Sequence, residues 1–148
     1  MKIALGADHA GYELKELLVA TLKEWGHEVI DLGTNDAQTS VDYPDFGSAV
    51  GRSVASGEAD LGVAVCGSGI GVSIAANKVS GVRAALVHDA TSARLAREHN
   101  HANVVCMGAR LIGPPVAQDA LAAWLGAEPC EGRHLARIEK LSQLDQRA

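Results

Sequence analysis

Short apolar runs alternate with longer amphipathic ones along this chain, and that alternation leaves very few architectures open. The runs are KIALGA (2–7), HEVIDLG (27–33), DLGVAVCG (60–67), VRAALVHD (82–89) and NVVCMG (103–108). Each ends at, or is followed directly by, glycine or a polar residue and reads as a buried strand. Between the first two, Leu14, Leu17, Leu18 and Leu22 recur at helical spacing, with Gly26 where a C-terminal cap belongs. Pro44 opens a second helix in YPDFGSAVGRSVASG. GVSIAANK, DATSARLAREHN, PPVAQDALAAWL and the charged GRHLARIEKLSQL complete the set. Repeated strand–helix–strand units build a parallel sheet covered by helices on both faces. The expected fold is therefore a three-layer α/β/α, Rossmann-like domain spanning 1–148, with five parallel strands and an added C-terminal helix. Crossovers should be right-handed, but the pattern leaves strand order open. The last helix, from about Gly132, follows no further strand and is free to pack on a partner subunit.

A chain of 148 residues forms one domain that buries roughly 70% of its unfolded surface. With only five aromatic residues among 47% apolar ones, its core must come from Ala, Val, Leu and Ile, which suits helices packed closely on a sheet. The formal net charge of −5, without a lysine run or a ladder of aromatics, argues against a nucleic-acid partner. The opening MKIALGADHAG is too short an apolar stretch for a signal peptide and is cut by Asp8 and His9. No segment approaches the roughly 20 apolar residues of a membrane span. Cys66, Cys106 and Cys130 make an odd set, so free thiols and a cytoplasmic setting are expected.

Ligands of open α/β sheets bind beyond the carboxyl ends of the strands. The polar residues there are Asp8 and His9, the stretch Cys66 to Gly71, His88 and Asp89, and Arg110. In AVCGSGIGVS a thiol precedes three glycines spaced two apart. One reading is that Gly67, Gly69 and Gly71 free successive amides to face an anion at a helix N-terminus. The same field would make Cys66 partly thiolate near neutral pH, with Ser68 as a neighbouring donor. A tight strand-to-helix turn around a structural cysteine is the plain alternative. A dinucleotide fingerprint fits less well, because the motif follows the third strand and no second domain is available.

Among six histidines, His99 and His101 in HNH are the densest pair, but residues two apart on a helix point away from each other. No cysteine lies at zinc-ligand spacing from them, so neither metal nor cofactor is expected. His99 suits proton transfer or capping at its helix C-terminus. Arg133 and Arg137 lie one turn apart on one face, where they form either a phosphate grip or a solvated surface. Cys106 and Cys130 read as packing residues.

Four stretches in order, ADHAGYELK, CGSGIGVSIAANK, REHNHANVVCMGAR and GRHLARI, resemble the ribose/galactose isomerase family. That family holds ribose-5-phosphate isomerase B and the galactose-6-phosphate and allose-6-phosphate isomerases, and the match runs from about Lys2 to Leu141. The resemblance implies a metal-independent aldose–ketose isomerase of sugar phosphates, in the manner of the pentose phosphate pathway. It also implies a homodimer or dimer of dimers with shared active sites. By the same resemblance, Cys66 is the base that moves a proton between C1 and C2 through a cis-enediolate. Ser68 and the amides of Gly67, Ser68, Gly69, Ile70 and Gly71 would hold the developing oxyanion. His99 would open the sugar ring, His9, Arg133 and Arg137 would bind phosphate, and Asp8 would order hydroxyls. Asn100 and Arg110 would arrive from the neighbouring subunit. A branch of the family uses a glutamate after the glycine loop, where this chain has Val72, so the sequence resembles the cysteine branch. Isomerisation of a six- or four-carbon sugar phosphate, a non-catalytic sugar-phosphate module and nucleotide-linked redox chemistry are the competing readings.

Overall fold

A computed structural model describes residues 1–145, so the last three residues of the expected 1–148 domain lie outside it. The strands are β1 (Lys2–Ala7), β2 (Glu28–Asp31), β3 (Leu61–Cys66), β4 (Ala84–Leu86) and β5 (Val104–Gly108). The helices are α1 (Tyr12–Glu24), α2 (Tyr43–Ala55), α3 (Ile70–Asn77), α4 (Ala90–Asn100), α5 (Pro114–Gly126) and α6 (Arg133–Leu144). All four strand pairings are parallel, in the order β2-β1-β3-β5-β4. Local signals act as expected at the helix ends. Gly26 takes φ +85 just past α1, Pro44 lies in the first turn of α2, and the Asp89 carboxylate caps α4 by accepting the Ser92 N–H at 2.7 Å.

Period-two alternation sorts the sheet into unlike faces. Ile3, Leu5, Val63, Val65, Val105 and Met107 pack under α1, α4 and α5, where Leu18, Leu121 and Trp124 are fully buried. The Trp124 indole N–H is satisfied by the Ala102 carbonyl at 3.1 Å. The opposite face carries Ala4, Gly6, Gly62, Ala64, Cys66 and Cys106 beneath α2 and α3. Small residues there bring α2 close to the strands: a Cβ on Gly62 would lie 2.6 Å from Val50 Cγ1 and 3.0 Å from Val54 Cγ2. Gly47 and Gly51, one turn apart on α2, let it ride against the Val72 and Ala76 carbonyls of α3.

Strand order decides which loops can meet. From β1 the chain turns outward to β2 and then returns past β1 to β3, so a crevice opens at the carboxyl ends of β1 and β3. With β5 next to β3 and β4 at the edge, His88 and Asp89 end up away from that crevice, and Asp89 serves as a helix cap. Instead of extending freely, α6 lies against α4 of its own chain: Ile138 is buried, and the Asp145 carboxylate accepts the Gly81 N–H at 2.8 Å. Leu135, Leu141 and Leu144 remain exposed along it. Among the described residues, no helix is long and apolar enough to cross a membrane.

Gly62→Ala tests the close packing of α2. Val50 and Val54 are stiff at χ1 and cannot swing aside, so overpacking should cost about 1–3 kcal/mol. An unobstructed Gly→Ala change would instead gain stability. The midpoint of urea unfolding against the parent chain measures the sign directly.

Candidate active site

Cys66 is the last residue of β3, and its side chain lies on the small-residue face, at the mouth of the sheet. Its Sγ accepts the Gly69 N–H at 3.1 Å, which fixes the sulfur beside the first turn of α3. The loop is laced to the end of β5 through Ala109 N–H to Cys66 O and Arg110 N–H to Gly67 O, both 2.9 Å. Contact here is backbone to backbone: a Cβ on Gly108 would lie 2.6 Å from Ser68 C, and one on Gly69 2.7 Å from Met107 C. Gly69 also holds φ +75, which side-chain-bearing residues rarely adopt. A Cβ on Gly71 would strike the Tyr43 ring at 2.6 Å, and one on Gly67 would crowd the Arg110 guanidinium at 3.2 Å.

The glycines therefore serve close approach as much as anion binding. Two of the amides expected to face an oxyanion are engaged within the loop itself, Gly69 with Cys66 Sγ and Ile70 with Ser68 Oγ at 3.2 Å. Val72, at the position of the alternative glutamate, is fully buried and faces the core.

Opposite the loop, the turn after β1 supplies Asp8 and His9. Asp8 is buried, donates its N–H to the Val65 carbonyl at 3.3 Å and accepts the Gly11 N–H on Oδ1 at 3.0 Å. His9 Nδ1 accepts the Val41 N–H at 3.2 Å, which leaves Nε2 as the donor of the neutral ring. Asp8, His9, Tyr43, Cys66, Gly67, Ser68, Gly71 and Arg110 line one cleft of about 400 Å³. Arg110 lines it within its own chain, where the resemblance implies an approach from a neighbouring subunit. The sequence does not single out Tyr43; its signal is its place at the entry of the Pro44 helix, after the loop that follows β2.

His99, Asn100, Arg133 and Arg137 are elsewhere. A helix following a parallel strand returns to the strand's amino end, so α4 delivers its last turn to the far end of the sheet. Gly62 pairs with Val104 and Cys66 with Gly108, which puts about 13 Å of strand between the two ends. There the His99 ring stacks on His134 of α6, with centroids 4.4 Å apart and planes within 6°. The linker before α6 is tied down by Cys130 N–H to Glu98 O at 2.8 Å and by His101 Nε2 to Cys130 O at 2.8 Å. Desolvation, then the charges of His99, Arg133, Arg137 and His101, hold His134 below the usual imidazole value. The far-end cluster is thus basic through its exposed arginines, and Asn100 beside it lines a separate cavity with Arg83 and Leu141.

The chain matches the family model for ribose/galactose isomerase over residues 3–141. Ribose-5-phosphate isomerase B of Escherichia coli is 47% identical over 146 residues, covering 99% of this chain and 97% of that protein. The solved ribose-5-phosphate isomerase B of Clostridium thermocellum superposes with a TM-score of 0.97 at 48% identity, over 99% of both chains. Galactose-6-phosphate isomerase subunit LacB of Clostridium acetobutylicum is 46% identical over 128 residues, 86% of this chain and 73% of that one.

Thiol chemistry should separate the cysteines by place. Burial, with Cys66 nearby, pushes the wholly buried Cys106 thiol far above its usual range. Under native conditions iodoacetamide should label Cys66 at least roughly a hundredfold faster than Cys106. Mass spectrometry of timed digests checks this, and equal labelling would contradict the cleft assignment.

Proposed function

This chain belongs to the ribose/galactose isomerase family, and we propose that it interconverts ribose 5-phosphate and ribulose 5-phosphate. The observation that carries the reading is a thiol in a cleft that also holds a buried carboxylate, a hydroxyl and two basic side chains. In the aldose-to-ketose direction, Cys66 as thiolate takes the proton from C2, and the electron pair forms the C1–C2 double bond of an enediolate. The carbonyl oxygen on C1 takes the charge, and the C2 hydroxyl proton passes to it. The thiol then returns its proton to C1, leaving the carbonyl on C2. A positioned base supplies on the order of 10²–10⁴-fold, and each donor aimed at the developing charge about 3–4 kcal/mol. Ser68 Oγ and the loop amides other than those of Gly69 and Ile70 are the donors; Asp8 orders hydroxyls and His9 and Arg110 face the phosphate.

Ring opening by His99 and phosphate binding by Arg133 and Arg137 require a second copy of the chain, because those groups sit at the far end of the sheet from Cys66. We therefore place the active site between two protomers, the α4–α6 cluster of one covering the cleft of the other. Asn100 belongs to that contributed half. Three unpaired thiols fit a reducing, cytoplasmic setting.

Cys66→Ala should remove at least about 10³-fold of kcat while ligand affinity stays within tenfold, since the thiol acts on the reacting carbons. Undiminished turnover in that variant rules out Cys66 as the base. Steady-state rates on ribose 5-phosphate, allose 6-phosphate, galactose 6-phosphate and erythrose 4-phosphate test the substrate. A hexose or tetrose phosphate favoured tenfold would move the assignment within the family, a possibility the likeness to the galactose-6-phosphate isomerase subunit keeps in view.

Shared sites predict complementation. Cys66→Ala and His99→Asn homodimers are each inactive, but random exchange of their protomers gives hybrids with one intact site. Activity should recover to about a quarter of the parent for isologous dimers. No recovery after verified exchange would place both groups in one protomer's site.

A further inference from the structure

We propose that Lys15 is a positioning residue: its buried ammonium holds the wall of the cleft formed by Asp8, His9 and the segment leading to Tyr43. This rests on the reading of that cleft as the isomerase site. Lys15 is fully buried in the first turns of α1, and its Nζ meets Asp31 Oδ1 and Oδ2 at 2.7 and 2.8 Å and Glu16 Oε1 at 2.8 Å. The Tyr12 ring lies 5.4 Å from the same nitrogen. Burial pulls the Lys15 pKa down, but hydrogen bonds to Asp31 and Glu16 outweigh it, so the group stays charged.

A chain of hydrogen bonds runs from this ion pair to the cleft, beside a main-chain link through α1 that does not involve the ammonium: Lys15 N–H donates to Gly11 O at 2.9 Å, and Gly11 N–H in turn caps Asp8 Oδ1. Through Asp31, Oδ1 accepts the Gly33 N–H at 3.0 Å. Gly33 and Thr34 then bracket the end of β1: Ala7 N–H donates to Gly33 O, and Thr34 N–H to Ala7 O, both at 2.8 Å. The same segment continues to Val41, whose N–H holds His9 Nδ1, and on to Tyr43 over the loop glycine Gly71. An apolar residue at 15 would fill the space without fixing a direction; a buried ion pair imposes one. Asp31 and Glu16 are 38% and 46% exposed, so both carboxylates keep water if the ammonium is removed.

Lys15→Met in the full chain tests this, with Asp31→Asn as a second variant that weakens the same pair from its solvated side. Amide exchange should rise tenfold or more in 8–11 and 31–41 and stay at the parent level in β3 and β5. KM for the aldose phosphate the parent turns over fastest should rise about tenfold, with kcat changed less than threefold. Exchange that is unchanged, or raised evenly over the sheet, overturns the proposal, as does a KM within twofold of the parent in both variants. If the parent turns over no sugar phosphate, the functional reading falls, and the exchange contrast alone decides the role of Lys15.

Discussion

Where β1, β3 and β5 end, main chain lies against main chain with no side chain between, and the cleft exists because of that contact. Gly11 packs on the Val65 carbonyl, Gly108 on Ser68 and Gly69 on Met107, each at a distance no Cβ could occupy. Three consecutive neighbours in the sheet can thus close their loops into one wall, and the hydrogen bonds from Ala109 and Arg110 to the cysteine loop lock the arrangement. A sulfur at the end of β3 then has a fixed address: its own loop donates Gly69 N–H to it, and the turn after β1 faces it with Asp8. Catalysis by proton transfer at carbon needs this economy of position, because a base misplaced by an ångström loses much of its advantage.

The alternation of strand and helix was legible because period-two and period-3.6 patterns do not overlap in this chain. Gly26, Pro44 and Asp89 marked their helix ends by backbone physics that acts locally. Strand order was not legible, since nothing within a strand names its neighbour, and so His88 and Asp89 looked as close to the site as Asp8. The same gap hid the split between Cys66 and His99. Both stand at element ends, but a carboxyl strand end and the C-terminus of a crossover helix lie at opposite ends of the α/β sandwich. The resemblance to the isomerase family supplied Arg133 and Arg137, for which the residues alone favoured a solvated face.

Charge is divided between those two poles in a way that suits a doubly anionic substrate. The cleft pole pairs one buried carboxylate with His9 and Arg110, while the far pole concentrates Arg133, Arg137 and the stacked imidazoles. Holding Arg110, Arg133 and Arg137 around one cleft within a single protomer would crowd three guanidinium charges against the single carboxylate of Asp8. Separating them by the length of a strand relieves that repulsion in the free chain, and bringing a second protomer alongside would assemble them around the phosphate that neutralises them.

Cys66 and Cys106 show how far environment governs the outcome for one residue type. They lie on adjacent strands and point to the same face, Cys106 two positions deeper by the pairing of Cys66 with Gly108. That step of two residues carries Cys106 into the packing beneath α2 and α3, where ionisation is suppressed by loss of water. Cys66, at the strand's last position, borders the cleft and meets a backbone donor at the entry of α3. The sheet therefore sets a boundary along its own strands between a thiol that only packs, Cys106, and a thiol that borders the cleft, Cys66. That boundary falls where β3 ends and its ladder with β5 gives way to the glycine loop.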